Sequence, residues 1–343
     1  MTGGWLVTSR VQQTVAIVPG LDGCARLTTS AERIECLSDE FADGAAQSAD
    51  GATGARRDER VIEYVRRAET LARGNPTLAD TCHPSMHRLG RREGARAGAE
   101  GRTPTFPGGS SQLCTAGYVH GLAEGYLART PNIDAAKIFP GLCHDPSSKP
   151  GCAHGIGHAL LRSVPNRSAD NTSPALTDCE TLPENFIASC RNGVYMESAM
   201  RTGEAVISPA RYAAGCGASE SVERALSCWS YLPQSLTAHD VPLDEYPGWC
   251  ARSTLPGQFT CIEAYGRQLG VEGSPACGRS GDIPELRQRC IEGAIGLQVG
   301  SGHVSPAEAR STCGGIKDSS LVAYCRRAVE RYSSGRAKVE ADA

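Results

Sequence analysis

One repeat constrains this sequence more than any other feature. Cys114-Thr-Ala-Gly117-Tyr-Val-His120-Gly121 returns 38 residues later as Cys152-Ala-His154-Gly155-Ile-Gly-His158, and after another 38 as Cys190-Arg-Asn-Gly193-Val-Tyr-Met196-Glu197. Looser copies start at Cys228, Cys261, Cys290 and Cys325. A period in the upper thirties belongs to stacked helix pairs, each of which buries its apolar face only against its neighbours. The expected fold is therefore all-α: a disulfide-stapled helical-repeat superhelix, an α-solenoid without substantial sheet.

The cysteines supply the second constraint. Of 16, fourteen form seven pairs 9 to 13 residues apart: Cys24/Cys36, Cys143/Cys152, Cys179/Cys190, Cys216/Cys228, Cys250/Cys261, Cys277/Cys290 and Cys313/Cys325. None has the Cys-x-x-Cys spacing of a zinc ribbon, so bridges in an oxidising, secreted or periplasmic compartment are expected. The stretch Trp5 to Val18, broken by Arg10 and Gln12-Gln13, makes a poor signal peptide, so the expectation of export rests on the cysteines alone. Cys82 and Cys114, 32 residues apart, are left over. Either they bond, docking a front helix onto the first repeat, or one stays a thiolate and joins His87, His120 and His158 around a metal. The bond is preferred, because a compartment that oxidises fourteen cysteines rarely spares two.

Large apolar side chains are scarce. Aromatics make up 5% of the chain, against 39 glycines, so close helix contacts must replace a bulky core. Glycine or alanine stands three residues after the repeat cysteine at Gly117, Gly155, Gly193, Ala264, Gly293 and Ala328, with Tyr231 the exception. Small residues at one helical phase let backbones approach, at a propensity cost of about 1 kcal/mol per glycine. A net charge of −3 gives no reason to expect nucleic acid. No apolar run reaches the roughly 20 residues of a transmembrane helix.

Along the chain, residues 1–57 are expected to be an N-terminal segment ending in an Ala/Gly-rich linker, Ala42 to Gly54. Residues 58–335 form the helical-repeat domain, with front helices within 58–98 and repeats from 114; residues 336–343 are a disordered tail. Val61, Ile62, Val65, Ala68 and Leu71 place a helix from Asp58 to about Arg73. A second opens at Thr81 with Pro84 in its first turn, and 94–112 is a loop. In each later unit a cysteine is expected to begin a long helix, followed by a shorter one. The short helices are announced by Asp134, Ser173-Pro174, Ser208-Pro209 and the capping box Ser305-Pro-Ala-Glu308. Glu263 and Glu292, two residues after their cysteines, are expected to complement helix N-termini.

The run from Leu122 through Asp134-Ala-Ala-Lys137-Ile-Phe-Pro-Gly-Leu-Cys143, followed by Gly151-Cys152, resembles the cysteine-rich secreted branch of Sel1-like repeats, relatives of tetratricopeptide repeats. The resemblance is architectural and is best from Cys114 to Cys190. It implies a stacked helix-pair array.

Function is legible only in the histidines. Of eight, five stand at the front of three successive helices: His83, His87, His120, His154 and His158. His83/His87 and His154/His158 are His-x-x-x-His pairs, which put both rings on one helical face; His120/Glu124 repeats the spacing with a carboxylate. In the next unit Met196 and Glu197 take the corresponding place. If the long helices line a concave surface, these eight side chains converge there as candidate ligands for zinc, copper or iron. His144, His239 and His303 are expected on surface loops. No Gly-x-Ser-x-Gly, phosphate loop or dinucleotide fingerprint is present. Two functions follow: an exported scaffold that binds a peptide, glycan or protein in its groove and carries a His-based metal site, or a metal-dependent hydrolase or oxidoreductase using the same histidines.

Overall fold

A computed structural model of the chain describes residues 20–341 except 21–22, 25, 28, 73–75, 109–113, 129, 131–132, 163–170, 201–206 and 301–303. The Trp5–Val18 stretch and His303 lie outside the described residues. Every described element is helical, and no strand occurs among the described residues. Helices α1 (Ser30–Ser48), α2 (Gly54–Ala72) and α3 (Pro76–Ala99) precede the repeats. The chain divides into two compact units, Met1–Asn166 with Ala175–Gly193, and Arg167–Pro174 with Val194–Ala343. The sequence reading instead takes 58–335 as one array.

The front of the chain departs most from expectation. Within the segment expected to end in a linker, α1 is opened by a Thr29–Glu32 capping box, and Leu37, Phe41, Ala45 and the C-cap Ala49 are buried along one face. Its alanines and glycines look like low complexity, yet they are the small residues that let α1 pack. A Cβ on Gly44 would overlap the Tyr64 side chain of α2. Helix α2 buries Val61, Ile62, Val65 and Ala68 as its periodicity predicts. Helix α3 begins at Pro76 rather than Thr81, takes Pro84 into its interior, and continues to Ala99 through part of the expected 94–112 loop. The expected tail is helical as well, to Ala341.

The repeats alternate long and short helices. In the first unit they are α4 (Cys114–Leu127), α5 (Ala135–Leu142), α6 (Lys149–Arg162), α7 (Ser173–Cys179) and the start of α8 (Glu184–Met200). The second unit holds α9 (Pro209–Gly217), α10 (Val222–Ala238), α11 (Tyr246–Cys250), α12 (Leu255–Gly273), α13 (Pro284–Gly300), α14 (Pro306–Cys313) and α15 (Ser319–Ala341). The short-helix caps are as expected: Asp134, Ser208 and Ser305 accept from the backbone N–H of Lys137, Arg211 and Glu308 at 3.2, 3.3 and 3.2 Å.

All eight disulfides form, Cys82–Cys114 included, with Cα separations of 5.0 to 5.8 Å. No free cysteine occurs among the described residues, so the thiolate-ligand alternative for Cys82 or Cys114 falls. The cysteines do not begin the long helices, however, except at Cys114. Cys36, Cys82, Cys190, Cys228, Cys261, Cys290 and Cys325 each stand six residues after the first residue of their helix. Each of the last five receives a bridge from the end of the short helical segment before it.

That shift of phase corrects the reading of Glu263 and Glu292, which lie in helix interiors. Glu263 pairs with Arg267 at 3.1 Å and Arg289 at 3.5 Å. Glu292, buried on α13, accepts from the hydroxyls of Tyr324 and Tyr332 of α15, both at 2.5 Å, and from Arg331 at 2.8 Å. Burial alone would raise its pKa, but these three donors hold it below the usual carboxylate range. A depressed folded-state pKa stabilises the fold above the ordinary glutamate range and loses that contribution as pH falls through the folded value. Glu292→Ala leaves two tyrosine hydroxyls without their acceptor and is expected to destabilise the chain by about 2 kcal/mol. Chemical denaturation of both proteins at neutral and acid pH checks it: the gap should close in acid.

Candidate metal centre

Helices α3 and α4 are the most extensively packed pair among the described residues, and glycine makes that contact. A Cβ on Gly117 or Gly121 of α4 would overlap the carbonyl oxygens of His83 or His87. A Cβ on Gly90 or Gly94 of α3 would overlap those of Tyr118 or Leu122. The two backbones therefore touch without intervening side chains, and the Cys82–Cys114 bridge pins their front ends. Helix α6 approaches α4 in the same way, with a Cβ on Gly155 falling 2.5 Å from the His120 oxygen. Three helices held this close bring their i, i+4 pairs together.

All five front histidines then share one cluster. Ring centroids are 5.2 Å apart for His83/His120, 4.9 Å for His87/His158, 4.2 Å for His120/His154 and 5.0 Å for His154/His158. Within it His87, Glu124 and His158 form a group whose ligand atoms all lie within 4.8 Å of one another, close enough to hold one cation. His83, His120 and His154 lie beside this group. Glu197 is not a member of it; Met196 and Glu197 belong to the second unit.

Glu124 is the electrostatic centre, only 1% exposed. Its Oε1 pairs with Arg91 Nε at 3.1 Å and accepts from Arg162 Nη1 at 2.6 Å. Its Oε2 has no hydrogen-bond partner and faces His87 Nε2 at 3.4 Å. One oxygen is thus anchored by guanidinium groups while the other is directed into the cluster, the division expected between an outer-shell contact and a ligand atom. Nothing in the local sequence marks these two arginines as part of a site, although both extend the same helical stripe, four residues after His87 and His158.

Burial, followed by the charges of neighbouring histidines and, for His87, of Arg91, pushes the pKa values of His87, His120 and His154 well below the usual imidazole range. Lowered pKa values favour the neutral ring at these three positions, the form that binds metal. Arg91 Nη2 lies 3.3 Å from His87 Nδ1, and since arginine only donates, that nitrogen accepts. A metal on Nε2 would require the proton at Nδ1, so an ion there would displace this one Arg91 contact while Arg91 Nε could stay on Glu124.

A purely structural polar cluster should satisfy its buried atoms. Here His120 Nδ1 is buried without a hydrogen bond, at a cost of about 1–3 kcal/mol, and His87 Nε2 and Glu124 Oε2 have only each other, at 3.4 Å. The remaining histidines are peripheral. His144 is exposed, whereas His239, expected on the surface, is half-buried and donates from Nδ1 to the Ser235 carbonyl at 2.7 Å, closing α10. No protein-family model matches the chain, and no curated protein matches it significantly.

Proposed function

We propose that this chain is an extracytoplasmic metalloprotein that holds a first-row transition metal ion, zinc, copper or iron, on His87, Glu124 and His158. The observation that carries the reading is the buried group of two imidazoles and one carboxylate with ligand atoms inside 4.8 Å, of which His87 Nε2 and Glu124 Oε2 have no hydrogen bond outside the group. Eight intramolecular disulfides favour an oxidising compartment, where sulfur is unavailable and nitrogen and oxygen ligands remain. Three protein ligands leave a coordination position for water or substrate, as catalytic rather than closed structural sites do. Metal-dependent hydrolysis or oxidation is the activity such a site would support. Superhelical stacking, and a peptide, glycan or protein partner in its groove, rest on the repeat alone and come second.

Protein purified without chelator is expected to carry transition metal, to lose it to chelators, and to take up cobalt(II) with the visible bands of a low-coordinate nitrogen–oxygen site. His87→Ala, His158→Ala and Glu124→Gln should each weaken binding at this site by about 100-fold or more, with helicity unchanged. A folded parent protein that holds no metal as purified and binds neither zinc nor cobalt(II) would sink the reading.

A further inference from the structure

The three helices do not each contribute one ligand; they each contribute two, four residues apart. His83 and His87 lie on α3, His120 and Glu124 on α4, and His154 and His158 on α6. Since i and i+4 stack along one helical face, about one 5.4 Å turn apart, the six side chains form two layers. The layer farther along the helices is His87, Glu124 and His158, the site proposed above. The other is His83, His120 and His154.

We propose that this second layer binds a second metal ion, making the cluster a dinuclear centre; the inference rests on the first site being real. His120 is the middle residue of the layer, 9% exposed, and its Nδ1 has no hydrogen-bond partner. His83 and His154 rings stand 5.2 and 4.2 Å from its ring. Both flanking rings reach it from different helices, so the layer is assembled by the same glycine-backed contacts as the first. Three imidazoles without a carboxylate suit a borderline or soft cation, copper or zinc, better than a hard one. Ligand atoms of this layer are not gathered within 4.8 Å as those of the first are. His120 and His154 are stacked, with their planes 21° apart, so one ring must turn edge-on to share an ion. The second ion therefore binds more weakly than the first.

The full-length, oxidised apoprotein titrated with cobalt(II) and with zinc separates the two claims. The expected result is two sequential equivalents, the tighter one filling first. His120→Gln and His154→Gln should lose the weaker equivalent and keep the tighter one, and Glu124→Gln should lose the tighter one. Saturation at one equivalent that Glu124→Gln abolishes and His120→Gln spares would overturn the second site and keep the first. No binding at all overturns both. His83→Gln, at a less buried position, serves as a further variant whose fold is checked by circular dichroism. Loss of both equivalents from that folded variant would mean one undivided site and would overturn the two-layer assignment.

Discussion

Gly121→Ala is expected to cost about 3 kcal/mol, although the same exchange in an exposed helix gains about 1 kcal/mol from propensity. The added methyl would overlap the His87 carbonyl oxygen and come within 2.8 Å of the Arg91 nitrogen, both backbone atoms that no rotamer change can move aside. Helices α3 and α4 must separate instead, and His87 would move away from Glu124. The variant should therefore lose thermal stability and metal affinity together, the second by more than tenfold, because ligands on different helices must stay within tenths of an ångström. Gly141→Ala in α5 is the control: its Cβ would meet nothing within 4 Å, and the substitution should be neutral or stabilising by up to about 1 kcal/mol. Thermal unfolding and cobalt(II) titration of both variants check it. Equal stability of the two would mean the helix contact is not what positions the site.

The second large effect concerns the bridges. In the chain-entropy treatment a bridge between cysteines 9 to 13 residues apart constrains the unfolded state by about 3 kcal/mol, and the Cys82–Cys114 bridge, with its separation of 32, by somewhat more, about 4 kcal/mol. Net stabilities of domains are about 5–15 kcal/mol, and this chain has few large side chains to compensate. Full reduction is therefore expected to unfold it, slowly at first because most of the sulfurs are buried, with a loss of far-ultraviolet ellipticity that reoxidation restores. Removing one bridge is milder. Cys82→Ser/Cys114→Ser should lower stability by about 3–4 kcal/mol while keeping the metal stoichiometry, since neither sulfur is a ligand. Loss of metal from a double variant that remains folded would contradict that separation of roles.

Much of this was readable in one dimension because it is local. Capping boxes, the pairing of near cysteines and the helical stripe are properties of short windows, and Ser305–Glu308 and Cys313–Cys325 come out as their spacing suggests. Positions that depend on more distant partners are different. The repeat spacing alone places Cys190, Cys228, Cys261, Cys290 and Cys325 at helix starts, whereas the bridge from the preceding short segment reaches into the second turn. Residues 42–54 have the composition of a linker, yet Ala45 and Ala49 continue the face begun by Leu37 and Phe41. Small residues look structureless in sequence and are close-packed in space.

The sequence by itself determined that His83/His87, His120/Glu124 and His154/His158 each lie on one face of a helix, because a four-residue step is a helical turn whatever surrounds it. It also determined the small positions, Gly117, Gly121 and Gly155, that allow backbones to touch. Only the tertiary structure decided that these three faces meet one another, that Arg91 and Arg162 hold one oxygen of Glu124, and that Met196 and Glu197 fall in the other unit. A same-face relation is fixed by the pitch of a single helix, whereas which faces abut depends on packing, bridges and charge between residues far apart in the chain.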